Sequence, residues 1–597
     1  MSARAHYIPR NESSAQPSRF IFAAVETEAR PMAGGLTNNV VKAWAAHVWI
    51  RPRSRQPERE AVVYGATIEE WAQLLELMMA KGRRVIVVFH KAGYALQCLG
   101  GPAELSRRGW TVTRAVVDTH RTILRATFGG GSITVLDMAN YLSRSLDELG
   151  ELVGVASWPE LASSANDDAA RARAAHSARI VGVAFRRYLA LCRDNDLGHF
   201  ATTLARQSSN AFRHRFMTHQ ILVHPFDEVS ALERSAYYGG RNECYRMGEL
   251  TAGPYTKLDI NSAFAAVMRT EQFPTAYEST AQSPTLASVE RALSTRCAVA
   301  RVLIETDEPV YPVHHEDRLI FPVGRFWTTL CTPELAHAIA RKRILAYETV
   351  AYYKRAPVFT RFVDGIYPLR VAARADGRRF DAAIWKQVLV SLYGRFGMRL
   401  TRWEKVGTEA GLPDERTREY SADTGQTTEF RRIGGLVEIS GKDEDAPETF
   451  TAIAAHVASS ARVLLWRYMT KAGRDHVVYC DTDGLIVDAA GARAVAAWVD
   501  ADKLGYLKVE ETADAIEIGG TKTYRMGGRL RQRGRRASAV SLGGWDYRQT
   551  QTTGLLAAAS MGHIGGAVTR VVERHLAGDY RAGTVDDLGR VSPLRLS

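Results

Sequence analysis

The chain has 597 residues, 46% of them hydrophobic and 24% charged, and Lys plus Arg outnumber Asp plus Glu by 78 to 65 for a formal charge of +13. That length suggests about three or four domains, and the basic excess favours a polyanionic partner such as nucleic acid. No run approaches the ~18 uninterrupted apolar residues of a membrane span. The opening MSARAHYIPRNESSAQPSRF lacks the apolar core of a signal peptide. Six scattered cysteines without a CxxC pair fit neither a disulfide framework nor a zinc ribbon. The expectation is a cytoplasmic, multidomain protein.

Residues 1–18 read as a disordered lead. From Arg19 onward short apolar runs alternate with helices: FIF near Phe20, AHVWIR (46–51), RVIVVFH (84–90) and SITVLD (132–137) read as strands. Thr67 and Glu70 form a capping box that opens the helix IEEWAQLLELMMAKG, and Gly82 is its natural stop. Strands alternating with helices predict a mixed sheet covered by helices, closing with Ala/Arg-rich helices around 165–195. GGGS at 129–132 and the Gly565-Gly566 pair read as turns or helix breaks, and His90 reads as a packed histidine.

From about residue 230 the texture changes. SAYYGGRNE (235–243) is a glycine-marked turn and YTKLDI (255–260) a strand. Residues 362–397 read as two helices broken at Asp376-Gly377. Residues 400–450 are polar and read as a hairpin or insertion. TAIAAHVASSARVLLWRYM (451–469) is a helix that leads into the hairpin HVVYCDTDGLIVDA (476–489). The last 70 or so residues read as Gly/Arg-rich and then helical.

The DTDG turn holds Asp481 and Asp483 between two apolar strands. Carboxylates fixed that close together repel unless a cation lies between them, which is what a Mg²⁺ site needs; a solvated acidic turn is the alternative. Asp259 leaves its own strand just before a helix and can face the same place. Two metal ions about 3.5–4 Å apart could then activate a 3′-hydroxyl and stabilise departing pyrophosphate. Lys386, Val390 and Tyr393 share one helix face, so Lys386 can neutralise a triphosphate while Tyr393 and Gly394 offer a platform to a base. Arg370 on the preceding helix can reach the same phosphates.

These segments resemble the motifs of family B DNA polymerases. DINSAF (259–264) resembles DxxSLYP, 386–394 resembles KxxxNSxYG, and YCDTDG (479–484) is similar to YGDTDS. YYGG (237–240) resembles the YxGG motif, and TKTY (521–524) the KxY motif, of the protein-primed branch found in bacteriophages and linear plasmids. The resemblance implies an RNase H-like, α/β exonuclease-type domain followed by an α+β right-hand polymerase. It implies Asp259 and Asp481 as metal ligands with the Ile260 carbonyl, and Asp483 as an auxiliary acid. Arg370 and Lys386 would hold the incoming triphosphate, Tyr393 would stack near the nascent base pair, and Phe264 would be the steric gate against a 2′-hydroxyl. Tyr237, Gly239, Gly240, Lys522 and Tyr524 would hold DNA or the primer end. The implied cofactor is Mg²⁺, two ions, with Mn²⁺ as a substitute. The partners are template, primer and dNTPs, with a terminal protein as a candidate primer, and no membrane.

Several positions depart from that pattern. Val390 replaces an Asn, Gly484 a Ser and Ala265 a Pro. The exonuclease motifs are eroded further: AVET (24–27) stands for DxET, HKAGYA (90–95) for HNLxYD, and YxxxD is expected near 174–179, where AAHSARIVGVAF (174–185) holds no acid. Glu26 and Asp137 remain, too few oxygen ligands to hold two hard cations, so the domain is expected to be inactive. Arg529, Arg531, Arg533 and Arg535 alternate and, with Arg536, would form one phosphate-binding rail in an extended segment; a flexible basic loop is the alternative. The expected divisions are 19–205 exonuclease-like, 206–354 linker and palm with a first insertion, 355–397 fingers, 398–525 palm with a second insertion, and 526–597 thumb-like. The reading is a DNA-directed DNA polymerase without 3′–5′ proofreading. The alternatives are a specialised or template-independent nucleotidyltransferase of the same fold, and a non-catalytic DNA-binding scaffold.

Overall fold

The computed structural model describes residues 4–52, 57–117, 121–156, 158, 167–423, 425–560, 566–575 and 580–597. Its first unit is the mixed sheet expected from the alternation. Arg19–Pro31, Arg84–Phe89 and Gly131–Asp137 run parallel at its centre, and the other pairings are antiparallel. The helix Asp167–Asp194 covers one face. Phe20 and Phe22 point out of the central strand into this helix, and both rings pack 5.9 Å from Phe185. The Thr67–Glu70 capping box forms as read, opening Ile68–Met79, and Gly82 turns in the left-handed region.

Three expectations fail here. Residues 4–18 are ordered: His6–Tyr7 pairs with Leu222–Val223, Ile8 is buried, and the His6 ring reaches the Pro447 carbonyl at 2.7 Å. Buried Asn11, whose N–H donates to the Arg213 carbonyl at 3.2 Å, and the Ala15 carbonyl, which accepts the Phe200 N–H at 3.0 Å, hold the rest of the segment. The C-terminal region is built chiefly of strands, not helix. Asp546–Thr552 and Ala567–Arg574 extend the first sheet, the latter pairing with Leu36–Asn39, and only Leu555–Ser560 is helical among the described residues there. A division at 525/526 also cuts through the meander Ile516–Gly520, Thr523–Met526, Arg529–Gln532. Gly566 packs against Asn38 so closely that no side chain would fit, and Gly565 lies outside the described residues.

In the remaining chain the two largest sheets flank one helix. A seven-stranded sheet centres on Ile344–Ala356, and a five-stranded sheet holds the two acidic motifs. Between them runs Thr451–Ala472, buried on nearly every face because its apolar and small residues meet neighbours all round. The helices Thr360–Ala375 and Arg379–Phe396 pack as an antiparallel pair broken at Asp376-Gly377, where Gly377 takes a positive φ. No helix among the described residues is long and apolar enough to cross a membrane.

Residues 399–445 form a four-stranded antiparallel sheet, its first strand lying beside its last, that docks back on the first unit. Arg431 lies over the Trp403 ring at 3.5 Å and donates to the Ala115 carbonyl at 3.0 Å. The Gly411 N–H donates to Ser106 Oγ at 3.1 Å. Buried Asp414 accepts the Gly434 N–H at 2.5 Å, and burial pushes its carboxyl up to about 6. Asp414→Ala would leave buried N–H groups unpaired. It is expected to cost about 1–3 kcal/mol, read as a lowered melting temperature, and to expose residues 399–445 to limited proteolysis.

Candidate active site

The acidic motifs meet because three strands register across one another. Asn242 pairs with Asp481, Asp481 with Gly484, Gly484 with Asp259, and Asp259 with Lys508. Residues directly opposite in antiparallel strands project from the same face. The row therefore reads Asn242, Asp481, Gly484, Asp259, Lys508 across one surface. Gly484 contributes no side chain, so a gap lies between the two aspartates, which sit two strand spacings, about 10 Å of backbone, apart. A Cβ at 484 would approach the Leu258 carbonyl at 3.3 Å and Asp259 Oδ1 at 3.8 Å. The family's serine could thus be accommodated with a small shift.

The turn between the strands is held from both sides. Thr482 adopts φ +61°, a left-handed conformation that costs a β-branched residue free energy and persists only where its surroundings enforce it. Its N–H donates to the Arg241 carbonyl at 2.6 Å, and its hydroxyl donates to Asp481 Oδ1 at 2.9 Å. The Asp483 carbonyl accepts the Ile260 N–H at 2.7 Å, which ties the turn over the end of the Asp259 strand. Gly240 packs under it: a Cβ there would lie 2.7 Å from Thr482 Cγ2. Ser262, one turn after Asp259, is likewise left-handed at φ +54°.

Two buried ion pairs support this arrangement, and the sequence motifs did not single them out. Arg241 Nε lies 2.5 Å from Glu243, and its guanidinium sits over the Phe321 ring at 4.2 Å. Glu243 also accepts the Tyr245 hydroxyl at 2.8 Å. Arg462, from the central helix, pairs with Glu334 at 2.8 Å and donates to the Tyr238 and Gly239 carbonyls, both at 3.0 Å. The YYGG segment is thereby fixed to the helix beneath it. Breaking such a pair would strand a buried charge.

Electrostatically the acids are crowded. Burial, then the neighbouring Asp259 charge, pushes the Asp483 carboxyl up to about 6, against the opposing pull of Lys386. Burial also raises Asp259, opposed by Lys508. Lys508 Nζ is 3.1 Å from Asp259 Oδ2, and Lys522 Nζ is 3.4 Å from Asp481 Oδ1. Among the described residues no three His, Cys, Asp or Glu side chains converge as a ready metal cluster. The donor set still suits a hard divalent cation: carboxylates on rigid strands, with mutual repulsion that a cation relieves.

The helix pair delivers the other expected residues. Arg370 is buried and donates to Ser262 Oγ, three residues from Asp259. Lys386 is exposed and lies close enough to Asp259 and Asp483 to perturb both. Phe264 and Tyr393 stack, centroids 4.7 Å apart at 15°. Together with Tyr237, Gly239, Gly240, Arg462 and Thr482 they line a cleft of about 220 Å³. Val390 is half-buried on the same helix.

Lys522, in a left-handed turn at φ +58°, donates its N–H to the Tyr479 hydroxyl at 2.8 Å. The Tyr524 ring packs on Tyr479 at 5.3 Å. This joins the TKTY segment to the Asp481 strand. Arg529, Arg531 and Arg533 are exposed, the first two on one strand face. The strand stops at Gln532, and Arg535 turns onto the Tyr547 ring at 5.9 Å, so the rail is shorter than an extended segment would make it.

In the first unit the retained acids are engaged elsewhere. Glu26 pairs with Arg173 at 3.5 Å, on the helix just before the segment where an acid was expected. Asp137 accepts the N–H groups of Ala92 at 2.7 Å, Ala139 at 2.8 Å and Lys91 at 3.3 Å. His90 is packed, bonded to the Arg144 carbonyl at 2.9 Å.

The model of the family "DNA polymerase type B, organellar and viral" matches residues 199–429. The DNA-directed DNA polymerase of Enterobacteria phage PRD1 is 24% identical over 317 residues, which cover 51% of this chain and 52% of that protein. The match therefore spans about half the length of this curated relative. Phi29 DNA polymerase complexed with primer-template DNA and incoming nucleotide superposes with a TM-score of 0.65 at 14% identity, over 94% of this chain and 100% of that one. Its orthorhombic crystal form gives 0.62 at 15% identity, over 86% and 90%. At such identity the likeness is one of fold. Over residues 199–429 the chain thus resembles family B DNA polymerases, and along nearly its whole length it shares the fold of a phage DNA polymerase.

An acid whose folded-state pKa is raised lends stability that is fully present below its unfolded value and is lost as pH rises through the folded one. For Asp483 that window runs from 3.8 to about 6. In chelator, the native chain is expected to lose about 2 kcal/mol relative to Asp483→Asn between pH 4 and pH 7, by denaturant unfolding.

Proposed function

We propose that the chain is a DNA-directed DNA polymerase that transfers a deoxynucleotidyl group to a 3′-hydroxyl or a protein hydroxyl and lacks 3′–5′ proofreading. The observation that carries this reading is the cross-strand row setting Asp481 and Asp259 on either side of Gly484. In this reading the five-stranded sheet is the palm, the helix pair 360–396 the fingers, the first unit an exonuclease-like domain, and the C-terminal strands the thumb-like part.

Family B polymerases depend on divalent metal. Asp259, the Ile260 carbonyl and Asp481 would hold it here, as Mg²⁺ or Mn²⁺. Two such ions, when bound, supply Lewis-acid activation of the attacking hydroxyl and charge neutralisation at the triphosphate. The chain's own groups position the reactants. Lys386 and Arg370 meet the triphosphate as it lies against the fingers, Arg370 already held at Ser262. Tyr393 stacks on Phe264, which supports a role for Phe264 as the steric gate against a ribose 2′-hydroxyl, selecting deoxynucleotides. Lys522, Tyr524 and the YYGG segment hold the primer end, and Arg529, Arg531 and Arg533 contact phosphates without reading sequence. Asp483, crowded by Asp259, favours a cation-bound site over an empty one. The Glu26–Arg173 pair puts a guanidinium beside the acid a nuclease metal would need, which supports the absence of proofreading.

The test is extension of a labelled primer on a single-stranded template, with divalent metal and each dNTP supplied separately. Template-matched extension is expected, reduced about a hundredfold or more by Asp259→Ala and by Asp481→Ala. Without dNTPs the primer should keep its length. Products in a template-free lane would favour the template-independent enzyme, and binding without incorporation would leave the scaffold.

A further inference from the structure

Lys508 belongs to no motif, yet the sheet places it against Asp259. The two residues are direct cross-strand partners, one bulge beyond the Lys257/Leu258 irregularity. Their Cβ atoms are therefore neighbours whatever rotamer the lysine adopts. The ammonium lies 3.1 Å from Asp259 Oδ2 and 3.2 Å from Glu510. Glu510 is bracketed from the other side by Lys257 at 2.8 Å. Lys508 thus has two carboxylates within reach, one in the site and one beside it. Lys522 contacts Asp481 at a longer 3.4 Å from an exposed turn, and no strand register holds its side chain there.

We propose that Lys508 is a built-in counter-cation for Asp259, which an arriving divalent cation must displace toward Glu510. The proposal rests on the polymerase reading of the Asp259–Asp481 row. While the ammonium sits on Asp259, the row carries its acids without a metal. A divalent cation at Asp259 then has to overcome repulsion from an ammonium only a few ångströms away. The free chain binds metal weakly on this account, and metal enters most readily with a triphosphate that brings its own negative charge. Glu510 gives the displaced ammonium a seat, so the exchange leaves no unpaired lysine.

The experiment titrates the metal-free full chain with Mn²⁺ and follows free Mn²⁺ by electron paramagnetic resonance, without DNA or nucleotide. The proteins are the native chain, Lys508→Ala, Lys508→Gln and Asp259→Ala, each checked by circular dichroism. Both Lys508 variants are expected to bind Mn²⁺ about tenfold more tightly than the native chain, equivalent to about 1.4 kcal/mol. Asp259→Ala is expected to lose that binding. Unchanged affinity in both Lys508 variants, with binding still lost in Asp259→Ala, would overturn the role of Lys508 and leave the polymerase reading standing. Native binding that survives Asp259→Ala would show that the metal sits elsewhere, and both would fall. No detectable binding in any protein would likewise overturn the proposal, since removing the ammonium should expose the site. Lys508→Gln, which keeps most of the side chain's length and packing, secures the result should the alanine variant misfold.

Discussion

Asp481 and Asp259 come to face one another only because their strands register through Gly484. The pairings Asp481 with Gly484 and Gly484 with Asp259 are backbone facts, fixed by two hydrogen-bonded ladders. A slip of one residue in either ladder would turn one aspartate to the opposite face of the sheet. Much of the surrounding structure serves that register. The Arg241 carbonyl pins the strained Thr482, the Asp483 carbonyl caps the Asp259 strand, and Arg462 anchors the YYGG segment beneath the turn. These contacts hold the carboxylates at a spacing their own repulsion opposes, the pre-organisation a metal-dependent site requires.

The charges around the row explain how it is tolerated without a metal. Three aspartates and Glu510 are matched by Lys257, Lys386, Lys508 and Lys522 within the same few strands and the facing helix. The site is nearly balanced in itself. The first unit resolves the same problem differently, because Arg173 and three backbone N–H groups engage its remaining acids. One fold thus contains a carboxylate row balanced by lysines, and a second pair of acids engaged by an arginine and by backbone N–H groups.

Much of this was legible in the sequence, where the signals are local. The capping box at Thr67–Glu70, the apolar runs of the central strands, the break at Asp376-Gly377 and the DTDG hairpin each depend on residues within a few positions of one another. Phe264, Tyr393, Arg370 and Lys386 lie on helix faces that periodicity could place. What was missed depends on pairing at a distance. Leu36 meets Arg570, and His6 meets Val223, through sheet edges that no local pattern announces. Lys508 faces Asp259 only because a bulge shifts the register, and Arg241 owes its role to the strand beside it. Alternation suggested a long arginine rail, but a turn after Gln532 shortens it.

The central claim is that the Asp481–Gly484–Asp259 row holds the catalytic cation and that the first unit does not. The direct measurement is anomalous scattering from crystals grown with primer–template, an unreactive dNTP analogue and Mn²⁺. The account predicts a Mn²⁺ peak between the Asp481 and Asp259 carboxylates, over Gly484, and none beside Glu26. A peak beside Glu26 and Asp137, or an empty row with nucleotide bound, would contradict it.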